Sequence, residues 1–145
     1  MIGLLQRVAQ ASVEVGAERV ASIGPGLLVF VGVRPDDSEA SAVRLLDRLL
    51  HYRIFADEAG KMNLSLAQTQ SDLLLVPQFT LAADTHKGLR PGFSTAAPPE
   101  QGRQLFDCLV QTACTRRDRV ETGVFGAHMR VSLVNDGPVT FWLES

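Results

Sequence analysis

The segment GLLVFVGV, residues 26–33, carries no polar side chain. A half-buried strand would alternate apolar and polar positions. An unbroken apolar run of this length, bounded by glycine, reads as a strand buried on both faces. A second run, DLLLVPQFTL (72–81), is apolar in the same way and holds a proline inside it. The chain must therefore supply cover for two buried strands, and 145 residues are enough for one domain with a real core, spanning 1–145.

The remaining segments supply that cover. IGLLQRVAQASVEVG (2–16) has alternating apolar positions, including Val13 and Val15, and predicts one long or bent strand. RVASIG (19–24) predicts a short strand. Asp36, Asp37 and Ser38 are good N-caps for a helix from Glu39 to about Tyr52, whose apolar set is Val43, Leu46, Leu49 and Leu50. A second helix is expected from Pro99 to about Ala113, with Leu105, Phe106, Leu109 and Val110 as its stripe. RVETGVFG, HMRVSLVN and PVTFWLES read as three closing strands, the last two joined by a turn at Asn135-Asp136-Gly137-Pro138. Between them AADTHKGLRPGFSTAAPP (82–99) has almost no periodic signal, and loops this long are commonly functional or disordered. The expected fold class is α+β: a curved, mostly antiparallel, barrel-like sheet with two main helices.

Composition narrows the function classes. Hydrophobic content of 46% and charged content of 21% fit a globular protein, and a net charge of −2 sets up no global basic field. Cys108 and Cys114 fit no zinc spacing and are too few for a disulfide scaffold, so a cytoplasmic setting is expected. The N-terminal stretch alternates like a strand, which argues against a signal peptide or membrane span. There is no P-loop, dinucleotide fingerprint or paired metal-ligand motif. His51, His86 and His128 lie far apart and read as solvated or satisfied side chains. Two places stand out. In QFTL (78–81) a strand reading puts Gln78 and Thr80 on one face and Phe79 on the other, at the end of a buried strand where a site can be mounted. The other is the stiff Gly137-Pro138 pair. Pattern alone also allows a strand end surfacing and a plain hairpin turn.

QFTLAADTHKGLRPGF, TGVFGAHM and NDGPVTFWLES, with the opening MIGLLQRVAQASVEV and YRIFADEAGKMN, resemble the D-aminoacyl-tRNA deacylase family over essentially the full length. One departure is Pro77, where the family motif usually has serine. The resemblance implies hydrolysis of the ester joining a D-amino acid to the 3′ end of tRNA. It also implies a cytoplasmic homodimer with its site at the subunit interface, no cofactor or metal, and neither DNA nor membrane as partner. The Gly137-Pro138 bond is expected to be cis, projecting into the partner's pocket to reject L-aminoacyl groups. Enantiomers carry the same atoms, so discrimination needs a rigid wall that rejects by clash. Proline fixes φ near −65° and glycine adds no side chain, which suits such a wall. A wall of this kind cannot see a missing side chain, so glycyl-tRNA is an expected substrate too.

The catalytic candidates are Gln78, Phe79 and Thr80. A threonine hydroxyl is a weak nucleophile without a base, so either Thr80 attacks or it positions substrate while backbone N–H groups at 78–80 form an oxyanion hole; the second is favoured. Arg7 is expected to hold the Gly-Pro loop or to be an exposed strand arginine. Phe125 and Met129 line the adenosine pocket or serve the core. His86, Lys87 and Arg90 contact tRNA phosphates or are simply solvated. Two alternatives remain at this stage: a hydrolase of small D-amino-acid esters or amides that needs no tRNA, and a non-catalytic interaction domain.

Overall fold

In a computed structural model, which describes residues 1–86 and 88–145, the two apolar runs lie side by side as parallel strands at the centre of the fold. Six strands share the main sheet: β1 (Ile2–Val15), β2 (Glu18–Ile23), β3 (Gly26–Gly32), β6 (Asp72–Pro77), β7 (Val120–Thr122) and β8 (Met129–Glu144). A small hairpin, β4 (Arg53–Ala56) and β5 (Met62–Ser65), stands apart. Helices α1 (Glu39–His51) and α2 (Pro99–Arg116) complete it. β1 pairs antiparallel with β2, β3 and β8, while β3–β6 and β6–β7 are parallel.

The apolar runs bury both faces because each face meets a different core. Leu27, Val29 and Val31 of β3, with Leu73 and Leu75 of β6, pack under the helices against Leu45, Leu49, Phe106 and Leu109. Leu28, Leu74 and Val76 face a second core, closed by Val8, Ala11 and Val13 of β1 and Ala21 and Ile23 of β2. Each fully buried leucine contributes about 2 kcal/mol. The two central strands meet at their start so closely that a Cβ on Gly26 would sit 2.2 Å from the Asp72 carbonyl oxygen, so only glycine fits there.

The second core is the inside of a nearly closed, barrel-like curl, and β1 makes the curl by a change of phase. Leu5 faces the helices, and simple alternation would put Ala11 and Val13 on that same side. Opposite β8, however, Val8 pairs with Asn135 and Gln10 with Val134, which leaves Ala9 as an extra residue. This bulge reverses the alternation and turns Ala11 and Val13 into the barrel interior beside Val8.

Both helices lie where the periodicity places them, with two differences in detail. In α1 the buried stripe runs through Ala42, Leu45, Leu46, Leu49 and Leu50, with Val43 only half-buried, and α2 continues to Arg116. QFTL is not a strand. β6 stops at Pro77, and Phe79–Ala82 forms a 3₁₀ turn packed on Gly32, where a Cβ would lie 3.0 Å from Leu81 Cβ. The last two expected strands are one: β8 runs from Met129 to Glu144, and Asn135–Pro138 is no hairpin turn within it. The long 82–99 segment is pinned by an antiparallel bridge, Asp84 and Gly92 exchanging N–H···O bonds of 2.8 and 2.9 Å. No helix among the described residues is long and apolar enough to cross a membrane.

Candidate active site

A cavity of about 440 Å³ opens beyond the carboxyl ends of the parallel pair β3–β6. Open α/β sheets commonly bind ligands in that position, because the chain leaves the sheet there and the loops diverge. Val31 and Val76 reach into it from the strands and Val33 from just past β3, Phe106 from α2, Phe125 from the segment joining β7 to β8, and Met129 from the start of β8. Two glycines set the fit. A Cβ on Gly102 would lie 3.3 Å from Phe125 Cζ, and one on Gly123 would lie 2.9 Å from Met129 Sδ and 3.3 Å from Pro77 Cδ. The near wall is tied to the sheet by Ala97 N–H to Val33 O (2.9 Å) and by the Gln101 side-chain amide to Pro35 O (3.0 Å). Most of the lining is apolar, and its one titratable residue among those described is His128.

Gln78 and Phe79 line this cavity beside Pro77. The Gln78 N–H donates to Val31 O at 2.7 Å, extending the sheet by one rung, so it is not a free donor as an oxyanion hole at 78–80 would require. The turn that follows changes which amides are free. Leu81 N–H donates to Gln78 O and Ala83 N–H to Thr80 O, while the N–H groups of Phe79 and Thr80 open the 3₁₀ turn. The first amides of a helical turn have no partner within it. The Gln78 side-chain amide donates to Thr80 Oγ1, so the threonine hydroxyl is engaged by a neutral donor rather than by a base. The Phe79 ring is 56% exposed and tilts against Phe93 with ring centres 5.1 Å apart.

Gly137 and Pro138 lie elsewhere on the chain. On β1, Gln6 pairs with Thr140 and Val8 with Asn135, so Arg7 alone stands opposite four unpaired residues: Asp136, Gly137 and Pro138, which protrude, and Val139, which turns back into the core under the helices. The Gly137-Pro138 bond is cis, Gly137 has φ +141°, and both residues are exposed. Arg7 holds the base of this protrusion: its Nε donates to Asp136 O at 3.0 Å and its Nη1 to Ile54 O at 2.6 Å. The neck is closed by Asn135, which accepts from Val139 N–H at 2.7 Å and donates to Thr140 Oγ1 at 2.8 Å; Gln6 adds a bond to the same hydroxyl. Sequence reasoning missed Asn135, Thr140 and Gln6, although the first two stand inside the NDGPVT motif as its only uncharged side-chain hydrogen-bonding residues.

The structure thus brings Gln78, Phe79, Phe125 and Met129 to one cavity and leaves Arg7, Gly137 and Pro138 at another place. Thr80 touches the cavity group through Gln78. His86 and Arg90 are exposed on the 82–99 segment and do not line the cavity, and the His86 N–H is taken by Asp84 Oδ1 at 2.9 Å. Lys87 lies outside the described residues.

The sequence matches the family described as D-Tyr-tRNA(Tyr) deacylase over residues 4–144. It is 64% identical over 144 residues to a D-aminoacyl-tRNA deacylase of Thioalkalivibrio sulfidiphilus (strain HL-EbGR7), covering 99% of this chain and 97% of that one. A D-aminoacyl-tRNA deacylase of Azotobacter vinelandii (strain DJ / ATCC BAA-1303) is 61% identical over 145 residues, the full length of both chains. Among solved structures, one titled c-Myc DNA Unwinding Element Binding Protein is similar with a TM-score of 0.95 and 37% identity, covering 100% of this chain and 99% of that one. A probable eukaryotic D-amino acid tRNA deacylase shares the fold, with a TM-score of 0.90 at 20% identity and coverage of 99% and 98%. On a match that runs through nearly every residue and includes both the cavity and the Gly137-Pro138 protrusion, this chain belongs to the D-aminoacyl-tRNA deacylase family.

Proposed function

We propose that the protein removes D-amino acids, and glycine, from the 3′ end of tRNA, and that two copies of the chain build each site. The observation that carries this reading is the separation of two parts in one chain: an apolar cavity with free backbone donors, and a clamped protrusion that does not reach it. A second copy would bring its Gly137-Pro138 segment to the cavity of the first.

The ester carbonyl oxygen sits against the N–H groups of Phe79 and Thr80. Water adds to the carbonyl carbon, the oxyanion is held by these donors, and the C–O3′ bond breaks. The ribose 3′ oxygen leaves with a proton. One such donor is worth about 2.7–4 kcal/mol of barrier. Thr80, held by Gln78, positions the turn and forms no covalent intermediate. No step uses a hydroxyl at position 77, so the proline there leaves the scheme intact. The partner's Gly137-Pro138 backbone occupies the space an L side chain would need. A glycyl ester, with no side chain, is not rejected.

Single-turnover deacylation of D-Tyr-tRNA, L-Tyr-tRNA and Gly-tRNA, with chelator present, tests the reading. The D and glycyl esters should decay far above the buffer rate and the L ester at it. Equal decay of all three at the buffer rate overturns it. Turnover of free D-tyrosine esters as fast as the tRNA ester would replace it with a small-molecule hydrolase. Sedimentation of the same preparation should give a dimer.

A further inference from the structure

Arg103 is exposed beside the cavity, bordering its lining residues Gly102, Phe125 and Gly126, and has no role in the scheme above. It follows Gly102 on α2, and its guanidinium carbon lies 4.9 Å from the centre of the Phe125 ring. A cation over an aromatic face is held electrostatically by the ring's negative face. Its Nη2 also donates to the Phe125 carbonyl oxygen at a long 3.4 Å, and lies 3.8 Å from where a Cβ on Gly126 would be. The guanidinium therefore spans two consecutive cavity residues from outside. Among the described residues it has no carboxylate within ion-pair distance, which it shares with Arg44, Arg48, Arg53, Arg90 and Arg117; what sets it apart is its seat on a cavity aromatic. An arginine carries five N–H donors in a planar fork. One long bond to a carbonyl leaves most of them unused.

We infer that Arg103 is a binding residue for a backbone phosphate of the substrate's single-stranded 3′ end. This deepens the reading of the cavity as an aminoacyl-tRNA site and rests on it. A terminal nucleoside seated beside Phe125 carries its 5′ phosphate out through the mouth, where the next nucleotide begins. The fork of Arg103 meets it there, already oriented by the ring beneath. The placement serves two ends: the stacked guanidinium backs Phe125 as a wall, and its free donors give the cavity a charge that its apolar lining lacks. Arginine suits both, since a lysine ammonium offers a point charge without the planar face.

The test compares Arg103→Ala and Arg103→Lys with the parent protein on two substrates, D-Tyr-tRNA and the phosphate-free ester 3′-D-tyrosyl-adenosine, at several salt concentrations. The parent's turnover of D-Tyr-tRNA is the control for the site itself; without it the cavity reading fails and Arg103 is not at issue. With it, Arg103→Ala should lower kcat/KM on D-Tyr-tRNA about tenfold and lower it several-fold less on the adenosine ester. The slope of log(kcat/KM) against log salt should flatten by about 0.7, the amount expected for one phosphate contact on a single strand. Arg103→Lys should keep most of the salt slope. Equal losses on both substrates, or an unchanged slope, would overturn the proposal and leave Arg103 as a support for Phe125 alone.

Discussion

The cavity and the protrusion are built by opposite means. The cavity is shaped by packing: valines at strand ends, Phe106, and two glycines that let Phe125 and Met129 come close. The protrusion buries little. Gly137 and Pro138 are exposed, and their position is fixed by named polar groups on Arg7, Asn135 and Thr140. Packing tolerates small changes by local relaxation, whereas a polar clamp loses a bond outright. Lesions in the first region should therefore weaken all esters together, and lesions in the second should alter the ratio between enantiomers.

The largest effect belongs to Gly137→Ala. The new Cβ would sit 2.5 Å from Val139 Cγ2 on a backbone at φ +141°, which L side chains rarely adopt. We expect the D-to-L ratio in single-turnover deacylation to fall at least about tenfold, or 1.4 kcal/mol. A parental ratio would break the comparison. Arg7→Ala comes next, since it removes the bonds to Asp136 O and Ile54 O from a side chain that is only 16% exposed. Urea titration should show a loss of about 1–3 kcal/mol, accompanied by a smaller fall in selectivity. Gly123→Ala sharpens the contrast from the other side. Its Cβ would displace Met129 Sδ from 2.9 Å, so KM should rise about fivefold, near 1 kcal/mol, with the D-to-L ratio unmoved.

Thr80→Val should lower kcat by less than about tenfold, because the backbone donors remain; a loss of many thousandfold would make the hydroxyl the nucleophile. The smallest effect is at the far end of β8. Arg34, bonded to Glu144 at 2.8 Å, and then Trp142, hold the Glu144 carboxyl below its ordinary range. A lowered folded-state value means stability present above the usual carboxylate range and lost as pH falls through the lowered one. Both side chains are well exposed, so Glu144→Gln should cost no more than about 0.5 kcal/mol at neutral pH, and that cost should shrink as pH falls through the lowered value.

Local periodicity made the interior legible. GLLVFVGV told of burial on both faces, and the helical spacing of Leu46, Leu49 and Leu50 told of α1, because both signals repeat within a few residues. QFTL misled for a physical reason. Its polar–apolar alternation has a strand's period, but the turn is decided by Gly32 on a different strand, which leaves room for Leu81. The closing segment misled similarly. Two strands around Asn-Asp-Gly-Pro look like a hairpin from within, and only the pairing with β1 shows that both halves run the same way. The candidate site residues were reached through the family resemblance rather than through spacing. Arg103 stayed hidden because a charged residue on a helix reads as a solvated face until Phe125 is seen beneath it.

The ladder between β1 and β8 closes on both sides of Arg7, at Gln6–Thr140 and at Val8–Asn135. Inserting or deleting a residue between Asp136 and Val139 therefore shifts no pairing anywhere else in the sheet. The pairing register of the sheet is thus independent of the protrusion's length, while the Arg7 and Asn135 bonds and the buried Val139 set where it starts and ends. A chain built this way can lengthen or shorten its reach one residue at a time while the barrel that carries it stays in register.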